Sequence, residues 1–299
     1  MGNSTGYSVA GYGEMINSRE RMGPYVAVLR QAIRPGCTVL DIGSGTGIFS
    51  FLACRMGAGK VHAIEPDNAI EVARESAAAN GLSDRIEFHQ AMSNAVNLPV
   101  MADVVVSDLR GVLPLFQQHI PTIIDARRRL LAPDGVLVPR RDHLWAALVE
   151  FPEHHVAEQP SWLGDEYDID LSAGNSLVVN RWKRVRARSE QLLTKPYRWA
   201  TLDYATIEQP NVSAEIAWKT ERPGTAHGLL LWFDTELGDG IGFSNAPGQP
   251  EQIYGQAFFP LQSPVVLEPD DRIETQIFAN LVDSEYVWRW HTRVDDGQG

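Results

Sequence analysis

The stretch VLDIGSGTG, residues 39–47, runs through apolar residues to Asp41 and then places glycines at 43, 45 and 47. An apolar run of this length reads as a buried strand. The glycines after it let the backbone turn without a Cβ penalty and pass close to a ligand, while Asp41 at the strand end aims a carboxylate into the crevice. Two cofactor classes use such a loop. The dinucleotide fingerprint requires G-x-G-x-x-G, and position 48 is Ile, so the third glycine arrives one residue early and NAD is disfavoured.

The surrounding pattern alternates. CTVLDIG, KVHAIEP, RIEFHQA, ADVVVSD and GVLVP are short β-branched runs, and IFSFLACRMG and AIEVARESAAANG between them are helical stretches that end at Gly57 and Gly81. This is the pattern of an α/β fold, a doubly wound Rossmann-like domain whose ligands sit at the carboxyl ends of its strands. Residues 14–34 space Met15, Met22, Tyr25, Val26 and Leu29 as one amphipathic helix. Beyond Pro139 all eight tryptophans occur, between Trp145 and Trp290, and alternating runs such as HGLLLWFDTEL replace the helices. The expected organisation is a helical lid over 1–35, a cofactor-binding domain over 36–139 and an antiparallel β-barrel domain over 140–295.

Thirty-eight acidic against 26 basic side chains, a net charge of -12, disfavour nucleic acid as a partner. No segment is apolar and long enough to span a bilayer, and no signal-like segment is recognised, so a cytoplasmic protein is expected. Cys37 and Cys54 flank the glycine loop and read as free thiols. No metal is expected: His154 and His155 are adjacent in a loop or extended segment and point apart, and Asp168-x-Asp170 lacks the later residues of a calcium loop.

Glu65 ends the second strand run, about 20 residues on, where a carboxylate accepts hydrogen bonds from ribose hydroxyls. With the glycine loop, it makes the sequence resemble the class I S-adenosylmethionine-dependent methyltransferases. The resemblance implies S-adenosyl-L-methionine as cofactor and S-adenosyl-L-homocysteine as product. It places Asp41, Gly43, Ser44, Gly45 and Gly47 along the methionine and ribose, Glu65 on the ribose, and Ser93 and Asn94 near the adenine. MINSRER, SDLRGVLPLFQQHI, RRRLLAPDGVLVP and the tryptophan-rich second half resemble, more narrowly, the protein arginine methyltransferase family. That likeness implies that Arg21 holds the cofactor carboxylate, that the domains join at Pro139, and that a helical arm near 173–190 makes a homodimer.

The family pattern is broken at the chemistry. Its two catalytic glutamates correspond to Asp108 and Gln117, so one charge is missing, and Gln cannot balance a guanidinium. Its threonine-histidine-tryptophan loop falls at Ile253, Tyr254 and Gly255, and the aspartate that pairs with that histidine is Ser18. A remodelled acceptor pocket is expected, with Asp108, Gln117 and His119 as catalytic candidates, Asp108 also near the cofactor. Tyr7, Tyr12, Met15, Arg110 and Tyr254 are the substrate-binding candidates. The expected reaction is N-methylation of an amine or guanidine of a small metabolite or peptide. O-methylation, protein arginine methylation and a non-catalytic cofactor-binding subunit are the alternatives.

Overall fold

The computed structural model describes residues 8–156, 169 and 180–295. Two helices, α1 (Val9–Asn17) and α2 (Arg19–Ala32), precede five strands, β1 (Thr38–Ile42), β2 (Lys60–Ile64), β3 (Ile86–His89), β4 (Ala102–Ser107) and β5 (Leu131–Val138). Helices α3 (Ile48–Arg55), α4 (Ala69–Ala79) and α5 (His119–Arg129) alternate with them. The strands are parallel, in the order β3-β2-β1-β4-β5. Winding reverses between β1 and β4, and the crevice opens at their carboxyl ends.

The expected single helix over 14–34 is two. Ser18 adopts an extended conformation (φ -71°, ψ 98°) and divides them, receiving the Met22 amide on its carbonyl at 2.8 Å. From α2, Met22, Tyr25, Val28 and Leu29 are buried in one cluster with Phe49, Val39, Val106 and Leu237. Each such side chain contributes about 1.5–3 kcal/mol on burial, so α2 fastens the parallel sheet to the second half of the chain.

After the cis Val138–Pro139 bond come β6 (Arg141–Val149), α6 (Pro152–Val156), β7 (Lys183–Val185), β8 (Tyr197–Asp203) and β9 (Val212–Lys219). β10 (Gly224–Gly238), β11 (Ile241–Ser244), β12 (Gln256–Leu267), β13 (Arg272–Val282) and β14 (Glu285–Asp295) complete the chain. This half is antiparallel, as expected. Its strands form two sheets, β7-β12-β10-β6-β8 with β11 on β10, and β14-β13-β9. Both contribute to one core, in which Leu148, Leu231 and Phe259 meet Ile216, Ile273 and Ile277.

Of the expected arm at 173–190, residues 173–179 lie outside the described residues. Residues 180–190 contain no α-helix: β7 pairs with β12, and Ser189–Gln191 form a single 3-10 turn. His154 and His155 sit in α6 rather than in a loop. Tyr7, Asp168 and Asp170 also lie outside the described residues. Cys37 and Cys54 are both free.

Candidate active site

A cavity of about 470 Å³ occupies the crevice beyond β1, β2 and β4. Ligand sites typically enclose about 300–1,000 Å³. Gly43 and Ser44 donate their amides to the Ile64 carbonyl at 2.9 and 3.0 Å, which ties the glycine loop to the end of β2. The Gly45 amide donates to Glu65 Oε2 and the Asp67 amide to Glu65 Oε1, each at 2.9 Å. Glu65 is thereby fixed at the cavity wall with lone pairs to spare, and burial raises its pKa. Gly45 has φ 51°, and a Cβ there would collide with the Tyr12 ring, so the bare loop lets α1 close over it.

Gly43, Ser44, Glu65 and Ser93 line the cavity with Tyr12, Met15 and Arg21. Asp41, Gly45, Gly47 and Asn94 do not. Asp41 is turned beneath the loop: its Oδ2 accepts the Ser50 amide at 3.0 Å and the Ser50 hydroxyl at 2.7 Å, bracing the first turn of α3. Burial lifts the Asp41 carboxyl to about 7, against the Ser50 hydrogen bonds. Gly47 caps α3 in the left-handed region, and Asn94 is exposed. The walls fit a nucleoside bearing a charged tail: Ile42, Ile64 and Met92 are apolar, Glu65 offers a carboxylate, and the buried Ser44 hydroxyl has no partner among the described residues.

At the other end, Asp108 follows β4. Its Oδ2 receives Arg21 Nε at 2.7 Å and the Tyr254 hydroxyl at 2.8 Å, and its Oδ1 receives Arg110 Nε at 3.0 Å. Burial alone would raise the carboxyl, but Arg21, Arg110 and the Tyr254 hydrogen bond hold it down, at about 2. Arg21 therefore meets a carboxylate of its own chain. Arg110 is 3% exposed and continues to Asp142 Oδ1 at 3.0 Å, to the Thr235 hydroxyl at 2.6 Å and to the Tyr25 hydroxyl. With both flanking carboxylates satisfied, Arg110 is a buried brace rather than a clamp for a substrate carboxylate. Tyr254 likewise braces Asp108 and does not line the cavity.

His119 opens α5 and lines the cavity, 1% exposed. The Tyr204 hydroxyl donates to Asp142 Oδ2, so its oxygen accepts from His119 Nε2 at 3.1 Å and leaves Nδ1 unprotonated. Nδ1 has no partner among the described residues. Burial, then the Arg110 charge, pushes the imidazole down to about 3, so it is an uncharged acceptor and not a proton store near neutrality. Gln117 lines the same wall at φ 42°, a conformation that costs a non-glycine residue about 1 kcal/mol.

Several lining residues lay outside the expected set. Ser284 and Glu285 reach the cavity mouth from the β13–β14 turn, and Gln118 Nε2 donates to the Asp283 carbonyl there. Asp142 and Tyr204 orient His119 from β6 and from just beyond β8. Their separations in sequence leave no local motif to find.

Residues 25–164 match the family described as ribosomal protein L11 methyltransferase, and residues 140–291 match the arginine methyltransferase oligomerization subdomain. The chain is 30% identical over 277 residues to the arginine N(omega)-methyltransferase of Streptomyces achromogenes subsp. streptozoticus, covering 88% of this chain and 74% of that protein. It is 26% identical to protein arginine N-methyltransferase 6 of Xenopus tropicalis, covering 87% of this chain and 80% of the relative. Among solved structures, that of the Trypanosoma brucei PRMT1 enzyme-prozyme complex with AdoHcy superposes with a TM-score of 0.85 at 22% identity, covering 95% of this chain and 92% of that one.

Proposed function

We propose a specific reaction for this chain from one premise: it belongs to the arginine methyltransferase family. By that membership it is an S-adenosylmethionine-dependent methyltransferase. The proposed acceptor is an amine or guanidine nitrogen of a small molecule or peptide. One observation carries this choice. Asp108, the lone carboxylate left of the family's pair, is already countered by the buried guanidiniums of Arg21 and Arg110. What the acceptor end offers a nitrogen acceptor is therefore hydrogen bonding to its N–H groups, through the remaining lone pair of Asp108 Oδ1 and the uncharged Gln117 amide.

When bound, the sulfonium of the cofactor supplies the activated methyl group. Glu65 would accept the ribose hydroxyls, a role supported by its position on the cavity wall with Gly43 and Ser44. Arg21, already at the cavity, is proposed to hold the cofactor carboxylate. Asp108 Oδ1, with one contact to Arg110, keeps a lone pair for an N–H of the acceptor. His119 Nδ1 and the Gln117 amide offer further hydrogen bonds, which would turn the nitrogen lone pair towards the methyl. Tyr12 and Met15 exclude water from the nucleoside side, and the Ser284–Glu285 turn flanks the mouth.

The name of the Streptomyces relative favours the guanidine of arginine itself, a member of this acceptor class. A second reading, arginine within proteins, is favoured by the name of the Xenopus relative. Mass spectrometry of reactions with free guanidines, amines, arginine peptides and arginine-rich proteins separates them. New methyl groups on nitrogen of small acceptors or peptides support the proposal; methylation of oxygen alone, or of folded proteins alone, overturns it.

A homodimer through the second domain is part of the proposal, supported by the oligomerization-subdomain match. Light scattering that returns only monomer would contradict it. No helix among the described residues is long and apolar enough to cross a membrane, and a cytoplasmic location is proposed with the two free thiols in its support.

A further inference from the structure

A second group of ligand-type side chains lies away from the cavity, on the outer strands of the parallel sheet. His62 of β2 is in register with Glu87 of β3, and His89 follows two residues later on the same face. His62 Nδ1 and His89 Nε2 are 3.1 Å apart. Glu87 Oε2 lies 3.7 Å from His62 Nδ1, and Glu87 Oε1 3.7 Å from His89 Nε2.

We propose that His62, Glu87 and His89 form a zinc site that clamps the edge strand β3 to β2. Two imidazole nitrogens on one tetrahedral zinc ion, each about 2.0–2.1 Å from it, lie about 3.4 Å apart. The observed pair is within a few tenths of an ångström of that spacing. The donor set of two imidazoles and one carboxylate suits zinc, with water completing the shell. Hydrogen bonding between two neutral rings satisfies only one donor and one lone pair, whereas an ion uses both lone pairs.

The residues between β3 and β4 form one short 3-10 turn, Ser93–Ala95, and no α-helix, so no crossover helix follows the edge strand. His62 is 2% exposed, while His89 and Glu87 keep 20% and 48% of their side chains in solvent, which gives an ion an entry path. Glu87 also meets Lys60 Nζ at 3.5 Å, an exposed pair weak enough to be displaced.

The test is calorimetric titration of the full chain with zinc chloride after chelator treatment, together with thermal unfolding. The expected result is one equivalent bound, a raised Tm, and a loss of affinity of at least about tenfold in both His89→Ala and Glu87→Gln. The exposed His291→Ala variant should bind as the wild type does. Absence of zinc binding, or wild-type affinity in His89→Ala and Glu87→Gln, overturns the proposal, as does loss in His291→Ala instead. Methyltransfer is not the readout, so the outcome is independent of the acceptor.

Discussion

Arg21 and Asp108, 87 residues apart in sequence, share a 2.7 Å ion pair, and each side chain is only 6% exposed. The break in the N-terminal helices at Ser18 and the turn after β4 meet at this contact. A buried pair of this kind contributes little net stability when intact, but removing one partner strands the other in the interior. Asp108→Ala would leave Arg21 without its carboxylate and Arg110 with only Asp142. Urea unfolding should show a loss of about 3–5 kcal/mol. A loss below about 1 kcal/mol would mean that water replaces the carboxylate freely.

The glycine loop predicts an unusual pH dependence. Burial raises Asp41 from 3.8 to about 7, so between these values the folded chain holds a proton that the unfolded chain has released. Its contribution to stability therefore falls as pH rises through that window, by up to about 1.4 kcal/mol per pH unit, and levels off above pH ~7. Asp41→Asn removes this dependence. The stability difference between variant and wild type, measured by urea unfolding at several pH values, should grow in the variant's favour from pH ~4 to ~7. A difference independent of pH would show that Asp41 is ionised throughout.

The strained Gln117 separates stability from function. With φ 42°, it should accept glycine with a gain of about 0.5–1 kcal/mol in unfolding free energy. The same Gln117→Gly change deletes a hydrogen-bonding group from the acceptor end, and kcat should fall by about tenfold with the cofactor affinity unchanged. Turnover equal to wild type would remove Gln117 from the reaction.

Gly45 tests the closure of α1. Alanine at φ 51° strains the loop by about 1 kcal/mol and pushes against the Tyr12 ring. Weaker binding of S-adenosylhomocysteine, by about tenfold, is expected in Gly45→Ala, and fluorescence titration reads it directly. Unchanged affinity would mean that Tyr12 moves away at no expense.

The parts of this site that lie close together in sequence could be read there. Val39–Gly47 is a strand and turn whose signal is local, and Glu65 falls at a fixed distance beyond it. The chain Asp108–Arg110–Asp142–Tyr204–His119 could not be read, because three of its four links span 32, 62 and 85 residues. Arg110 looked available to a substrate only because Asp142 and Thr235 are distant in sequence. The break at Ser18 was hidden for another reason: Met15 and Met22 are one heptad apart, the spacing of one face of a continuous helix, so the pattern reads straight across the break. Ser18 itself, a good N-cap type ahead of Arg19, was the signal available. The His62–Glu87–His89 cluster was invisible because register between neighbouring parallel strands is set by the whole sheet.

The central claim is that the crevice seats the cofactor nucleoside against Glu65. Calorimetric titration of the wild type and Glu65→Ala with S-adenosylhomocysteine measures it most directly. The account predicts one site per wild-type chain and a loss of about 10- to 100-fold in the variant, the effect of deleting hydrogen bonds to a charged group. No binding to the wild type, or the same affinity in both proteins, would contradict it.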